Sequence, residues 1–270
     1  MSEAASEALE QLVLAVRASP KYRAVCPALI RRIGQRELAA RRTFKEAEQA
    51  TRNKLHQVAG AYLGGKRRYA EWLETLTAAK AEGAEAFRAA CLHVMNHHAS
   101  TRERLPILDD FYTTIFATLP PIRSVLDVAC GLNPLALPWM PLASDATYTA
   151  CDLFEDMADF LNSFFALAGA QGRAAACDVI GAPPMQAVDL ALVLKVLPPL
   201  EQIDKTAGLT LLRALNARFL LVSFPTQSLG GRGKQMLAHY EAHFHTMAQA
   251  ERWTIQRFVF STELCFLVTR

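Results

Sequence analysis

From Ser6 to about Ala99, apolar residues recur at spacings of three and four, as at Leu9, Leu12, Val13 and Val16, on a background rich in Ala, Leu, Glu, Arg and Lys. That period is the period of one helix face, so this half predicts a bundle of helices. Pro20 and Pro27 punctuate its first part, the glycine pair at 64–65 marks a turn, and Gly83 marks another. After Pro120 and Pro121 the pattern changes. Short apolar runs follow: SVLDVA (124–129), TYTACD (147–152), RAAACDV (173–179), VDLALVL (188–194), RFLLVSF (218–224), WTIQRFVF (253–260) and ELCFLVT (263–269), most with helical stretches between them. Strands alternating with helices predict an α/β fold with a parallel, doubly wound sheet. The last two runs are joined by only a few residues around Ser261, too few for a crossover helix, and predict an antiparallel hairpin at one side of the sheet.

With 51% hydrophobic and 20% charged residues, the chain has the composition of a packed globular protein and not of a disordered one. It offers no apolar window long enough for a membrane span, and its start, MSEAASEALE, lacks the basic and apolar regions of a secretory signal, which predicts a cytoplasmic protein. The six cysteines show no CxxC pair, so they predict buried thiols in place of zinc ligands or disulfides. Charge adds a division: residues 1–110 carry 18 Lys/Arg against 13 Asp/Glu, the remainder 11 against 13. Residues 17–68 hold 14 basic and 3 acidic residues, with arginine pairs at 31–32, 41–42 and 67–68. Such density is the footprint of a polyanion partner, and Arg31, Arg32, Lys66 and Arg67 are its candidate contacts. The division predicts a basic helical domain over residues 1–105 and an α/β domain over 106–270.

The stretch VLDVACGLNPLALPWM (125–140) follows a strand with a turn that holds one glycine, Gly131. Open α/β sheets bind ligands at the carboxyl ends of their strands. A dinucleotide pyrophosphate demands close backbone approach, hence three spaced glycines; a nucleoside without phosphates does not. S-adenosylmethionine is the common cofactor of that kind. Three acids at successive strand ends, Asp127, Asp152 and Asp178, fit it: a carboxylate after the second strand accepts ribose hydroxyls, and one after the third accepts from the adenine amino group. An acceptor amino group usually calls for a polar residue, two prolines and an aromatic after the fourth strand; here KVLPPLE lacks the polar and aromatic members. No cysteine stands there for pyrimidine C5 chemistry. A ring nitrogen with a free lone pair remains, with orientation and proximity carrying the rate and no general base expected.

SFPTQSLGGRGKQM (223–236) combines a glycine-rich turn with Arg232 and Lys234 but is no Walker loop; it predicts a clamp on an RNA backbone. Phe224 and Met236 are candidate faces for an extruded base. Lys195, ending the fourth strand, faces either the pocket or solvent. His93 and His97 stand at helical spacing and His239, His243 and His245 cluster, yet HExxH is unmatched and no metal is expected.

At HHASTRERLPILDDFY, DVACGLNPLALPWM, LVLKVLPPLE and SFPTQSLGGRGK, and at SPKYRAVCPALIRRI and LHQVAGAYL in the basic half, the chain resembles the aminoglycoside-resistance 16S ribosomal RNA methyltransferases that modify N7 of guanine-1405. The resemblance implies a helical N-terminal domain that docks on the 30S subunit and a Rossmann-like domain that holds S-adenosylmethionine. It implies His98, Ala99, Ser100 and Arg104 at the cofactor, with Arg104 pairing the methionine carboxylate. Ala129 and Gly131 would line the methionine side, Asp152 the ribose, Asp178 and Val179 the adenine, and Tyr62 and Leu194 would complete the pocket; family members carry a Gln where Gln202 and Ile203 stand. A methyltransferase for adenine N1 at the adjacent decoding-site position, and a ribosome-binding protein without turnover, remain alternatives at this point.

Overall fold

The computed structural model describes residues 3–59, 67–226 and 233–270. Tyr62, the glycine pair at 64–65, Lys66 and Arg232 lie outside the described residues, as does the side chain of Lys234. The helical half contains α1 (Glu3–Arg17), α2 (Pro27–Ala40), α3 (Phe44–Ala59), α4 (Tyr69–Glu82) and α5 (Ala84–Met95). Leu9, Leu12, Val13 and Val16, the periodic positions, are the buried ones of α1. Pro27 opens α2, where its missing N–H is no loss. Gly83 separates α4 from α5 at φ +130°, a backbone conformation that side chains oppose.

Two further helices, α6 (Ala99–Arg104) and α7 (Leu108–Phe116), lead to the sheet. Its strands are β1 (Ser124–Val128), β2 (Thr147–Asp152), β3 (Gln171–Ala176), β4 (Val188–Leu194), β5 (Ala217–Pro225), β6 (Thr254–Val259) and β7 (Glu263–Thr269), in the order β3-β2-β1-β4-β5-β7-β6. The first five pair in parallel. β7 returns antiparallel between β5 and β6, so the expected hairpin closes one side. Each apolar run of the sequence is a strand. β3 stops at Ala176, three residues before the end of the run, which puts Asp178 in the following turn.

Alternation along the strands sorts side chains to two faces. Leu190, Leu192 and Leu194 share a cluster with Phe160, Leu161 and Phe164 of α8 (Glu155–Ala168). The same cluster runs on through Val94 and Met95 of α5 to Ile30 and Leu12, so the helical half and the sheet have one continuous core. Ala191 and Val193 face the other way, onto α9 (Leu197–Ile203), α10 (Ala207–Ala214) and α11 (Gly233–Glu251), through Leu197, Leu211 and Phe244. The link between α1 and α2 lies against the exit of β2. There Cys26 N–H donates to Leu153 O at 2.8 Å and Glu155 N–H donates to Ala24 O at 2.7 Å, with Val25 bridging Phe154.

Candidate functional site

Because β1, β2 and β4 run parallel, their carboxyl ends share one edge, and a cleft with about 600 Å³ of open space lies there. His98, Ser100, Ala129, Asp152, Val179 and Leu194, all expected at a cofactor, line it. Leu153 and Phe154 after β2, and Val196, Pro199 and Leu200 at the start of α9, also line it and went unforeseen. The PPLE stretch was legible only as a missing acceptor motif, whereas it forms an apolar wall. Lys195 lines the cleft too, so it faces inward, nearly buried.

The single glycine now has a physical reason. Gly131 sits at φ +51°, and a Cβ there would stand 2.5 Å from Cε1 of the His98 ring. The glycine therefore admits a histidine ring. Its N–H donates to Asp152 Oδ2 at 2.8 Å, while Leu153 N–H donates to Oδ1 at 2.6 Å. Burial raises the pKa of Asp152 and these two donors work against that rise. Ala129 and Lys195 also hold left-handed conformations, at φ +50° and +62°, each costing about 1 kcal/mol. Both stand where a strand leaves the sheet at the cleft.

His98 is pushed down to a pKa of about 4, first by burial and then by Arg104, Lys195 and Arg102. It is neutral near pH 7, with Nδ1 at 3.1 Å from Ser100 Oγ. Behind the cleft lies a buried polar chain. Asp127 Oδ2 accepts from Tyr148 Oη at 2.6 Å and from Asn133 Nδ2 at 2.9 Å, and Asn133 Oδ1 accepts from Tyr112 Oη and from Arg104 Nη1, both at 2.7 Å. Arg104 Nε stands 2.8 Å from Glu263 Oε1, and Nη2 donates to Oε2 at 3.1 Å. Lys195 Nζ lies 3.2 Å from Glu263 Oε1, and it donates to Glu103 Oε2 at 2.8 Å and Ser100 O at 3.1 Å. Arg104 is thus fully buried and its fork is filled by a protein carboxylate. Arg104 is not among the residues that line the cleft.

Burial pushes Asp127 up to about 7, and its Oδ1 has no hydrogen-bond partner among the described residues. Two opposed pH dependences follow. Asp127, raised in the fold, contributes stability below its unfolded pKa of about 4 that is lost as pH climbs through 7. His98, depressed in the fold, contributes stability above about pH 6.5 that is lost as pH falls toward 4. Asp127→Asn removes the first dependence, so its urea-unfolding free energy relative to the native chain is expected to rise by about 2 kcal/mol between about pH 4.5 and 6.5. Parallel curves for the two proteins would mean that Asp127 is ionised throughout.

The family model described as ribosomal RNA methyltransferase (FmrO) matches residues 18–267. The chain belongs to this family of ribosomal RNA methyltransferases. The 16S rRNA (guanine(1405)-N(7))-methyltransferase of Frankia casuarinae is 40% identical over 268 residues, 98% of this chain and 94% of that protein. The protein of the same description from Serratia marcescens is 38% identical over 262 residues, 97% of this chain and 98% of its own. Among solved structures, the 16S rRNA methyltransferase RmtF in complex with S-adenosyl-L-homocysteine aligns over 100% of this chain and 99% of its own, with a TM-score of 0.78 and 36% identity. The 16S rRNA methylase RmtB aligns over 97% and 98%, with a TM-score of 0.78 and 34% identity.

In this methyltransferase several cations expected to meet RNA are engaged inside the chain. Arg32 Nε donates to Asp178 Oδ2 at 2.5 Å and Nη2 to Oδ1 at 3.0 Å. Arg67 donates to both oxygens of Asp156, at 2.9 and 3.0 Å, and its guanidinium lies 3.8 Å over the Phe154 ring. Arg31 forks onto Glu10 at 2.6 and 2.8 Å, with both side chains half exposed. Asp178 is consequently clasped by Arg32 and does not line the cleft, though Val179 does. Ala99 opens α6 behind the lining residues His98 and Ser100. Phe224 is also corrected as a face for a base: it is fully buried, stacked on Tyr240 at 4.9 Å and packed against Phe244 and Phe266. Met236 is half buried in the first turn of α11.

Proposed function

We propose that the chain transfers the methyl group of S-adenosylmethionine to N7 of guanine-1405 of 16S rRNA within the 30S subunit, in the cytoplasm. Resistance to 4,6-disubstituted deoxystreptamine aminoglycosides follows, because a fixed positive charge and a methyl group are added where those cationic drugs sit. The observation that carries the reading is the cleft at the ends of β1, β2 and β4, lined by Asp152, Val179 and Leu194, in a chain of the ribosomal RNA methyltransferase family.

The residues present fit the cofactor. Asp152 spends one lone pair of each oxygen on Gly131 and Leu153 and keeps others to accept ribose hydroxyls. Val179, Leu194 and Leu200 offer apolar walls for a base. When bound, S-adenosylmethionine supplies a methyl group activated by a sulfonium centre. Neutral His98 adds no repulsion to that centre, and the Lys195 charge is met by Glu103 and Glu263. Guanine N7 has an exposed lone pair and needs no base, so the chain's task is to orient the two partners.

The test is to incubate the protein with drug-sensitive 30S subunits and radiolabelled S-adenosylmethionine, and to map the product by borohydride and aniline cleavage. A single cleavage at guanine-1405 is expected. Label incorporated without cleavage would assign the activity to another atom, and no label would overturn the reading.

A further inference from the structure

We propose that Arg32 is a positioning residue of the cofactor site, holding the turn after β3 from the helical half, so that cofactor affinity depends on α2. This rests on the reading that the cleft takes S-adenosylmethionine. The Arg32 side chain is 20% exposed and that of Asp178 is 4% exposed, so the pair is shielded as well as doubly bonded. Both nitrogens of one guanidinium edge are spent on the carboxylate, which removes that edge from phosphate recognition.

The turn itself is built around this clasp. Asp178 Oδ1 also accepts from Ile180 N–H at 3.2 Å, and Asp178 O accepts from Ala182 N–H at 2.8 Å. A Cβ at Gly181 would stand 2.5 Å from Asp178 Oδ2, 2.7 Å from Arg32 Cδ and 3.0 Å from Arg32 Nε. Glycine is the residue that lets the guanidinium lie against the turn. Val179, between these anchors, is a wall of the cleft.

The opposite rim is held from the same side. Residues 24–26 are bonded to 153–155, Arg17 pairs with Glu155 at 2.5 Å, and Arg67 pairs with Asp156. Phe154 and Leu153, which carry that rim, line the cleft as Val179 does. Both rims that follow the second and third strands are therefore set by the helices. Loss of Arg32 leaves a shielded carboxylate without its cation and frees the turn to move.

The experiment uses the full chain in four forms: native, Arg32→Gln, Arg32→Lys and Gly181→Ala. Calorimetry with S-adenosylhomocysteine gives Kd, steady-state methylation of 30S subunits gives KM and kcat, and thermal melts check folding. For Arg32→Gln, Kd and the cofactor KM are expected to rise about tenfold while KM for 30S and kcat at saturating cofactor change by less than about twofold. Gly181→Ala should show the same split, since its Cβ forces the clasp apart, and Arg32→Lys should recover part of the affinity. Unchanged cofactor Kd with a raised KM for 30S would overturn the proposal and make Arg32 an RNA contact. A fall in kcat and melting temperature without the KM split, unrelieved by lysine, would overturn it in favour of a general structural role. Failure of the native chain to bind S-adenosylhomocysteine would instead remove the reading beneath it.

Discussion

Glu263→Ala is expected to destabilise the protein by about 3–5 kcal/mol, read as a lowered urea midpoint at unchanged slope. Glu263 is fully buried at the start of β7, and two cations, Arg104 and Lys195, converge on it. Arg104 has no water to return to, and its other protein acceptor is the amide oxygen of Asn133. Removing the carboxylate therefore leaves a full charge in the core, and that penalty exceeds what the pair itself contributes. Lys195 retains Glu103, which is partly exposed, so its loss is the smaller one. The double variant Glu263→Ala with Arg104→Met should regain a large part of the loss, because the stranded charge goes with it. A single-variant loss below about 1 kcal/mol would mean that the surroundings rehydrate Arg104. Position matters beyond stability, since Lys195 of this network is also a wall of the cleft.

The sheet was legible because each strand is a short apolar run bounded by turns, and the brief joint at Ser261 excluded a crossover. Asp152 is legible for the same reason, since strand ends on one edge must meet, whereas Ala129 and Leu194 follow only from the family resemblance. What was not legible depended on pairing over long separations. The basic surplus of the first half was read as the footprint of an external polyanion, yet Arg17, Arg32 and Arg67 find Glu155, Asp178 and Asp156 in the acidic half of the same chain. The complementary sign of the two halves was the available signal. The family resemblance implies a ligand carboxylate for Arg104, and nothing local marks Glu263 as its partner. A lone glutamate opening an otherwise apolar strand is the trace it leaves in the sequence. Phe224 was separable from the outset: on β5 it falls in register with Leu220 and Val222, which places it on a core face.

Gly131→Ala is expected to reduce methyl transfer by at least about 100-fold, with a stability loss of only about 1–3 kcal/mol. Two effects act together. An alanine at φ +51° is strained whatever the space, and its Cβ would lie 2.5 Å from Cε1, 2.9 Å from Nε2 and 3.0 Å from Nδ1 of His98. Those atoms belong to a ring that lines the cleft, so they have no lateral freedom that leaves the cleft unchanged. If the Gly131 backbone yields instead, its N–H leaves Asp152 Oδ2, and the carboxylate we propose for the ribose hydroxyls turns with it. Either way the cleft changes shape while the strands beneath it keep their register, which is why activity should fall much further than stability. The two routes are separable. His98→Ala in the Gly131→Ala background removes the clash but not the strain, so recovered S-adenosylhomocysteine affinity would identify ring displacement as the cause. Affinity that stays low in the double variant, with His98→Ala alone binding well, would identify the lost Gly131-to-Asp152 hydrogen bond, and native-like activity of Gly131→Ala would refute both.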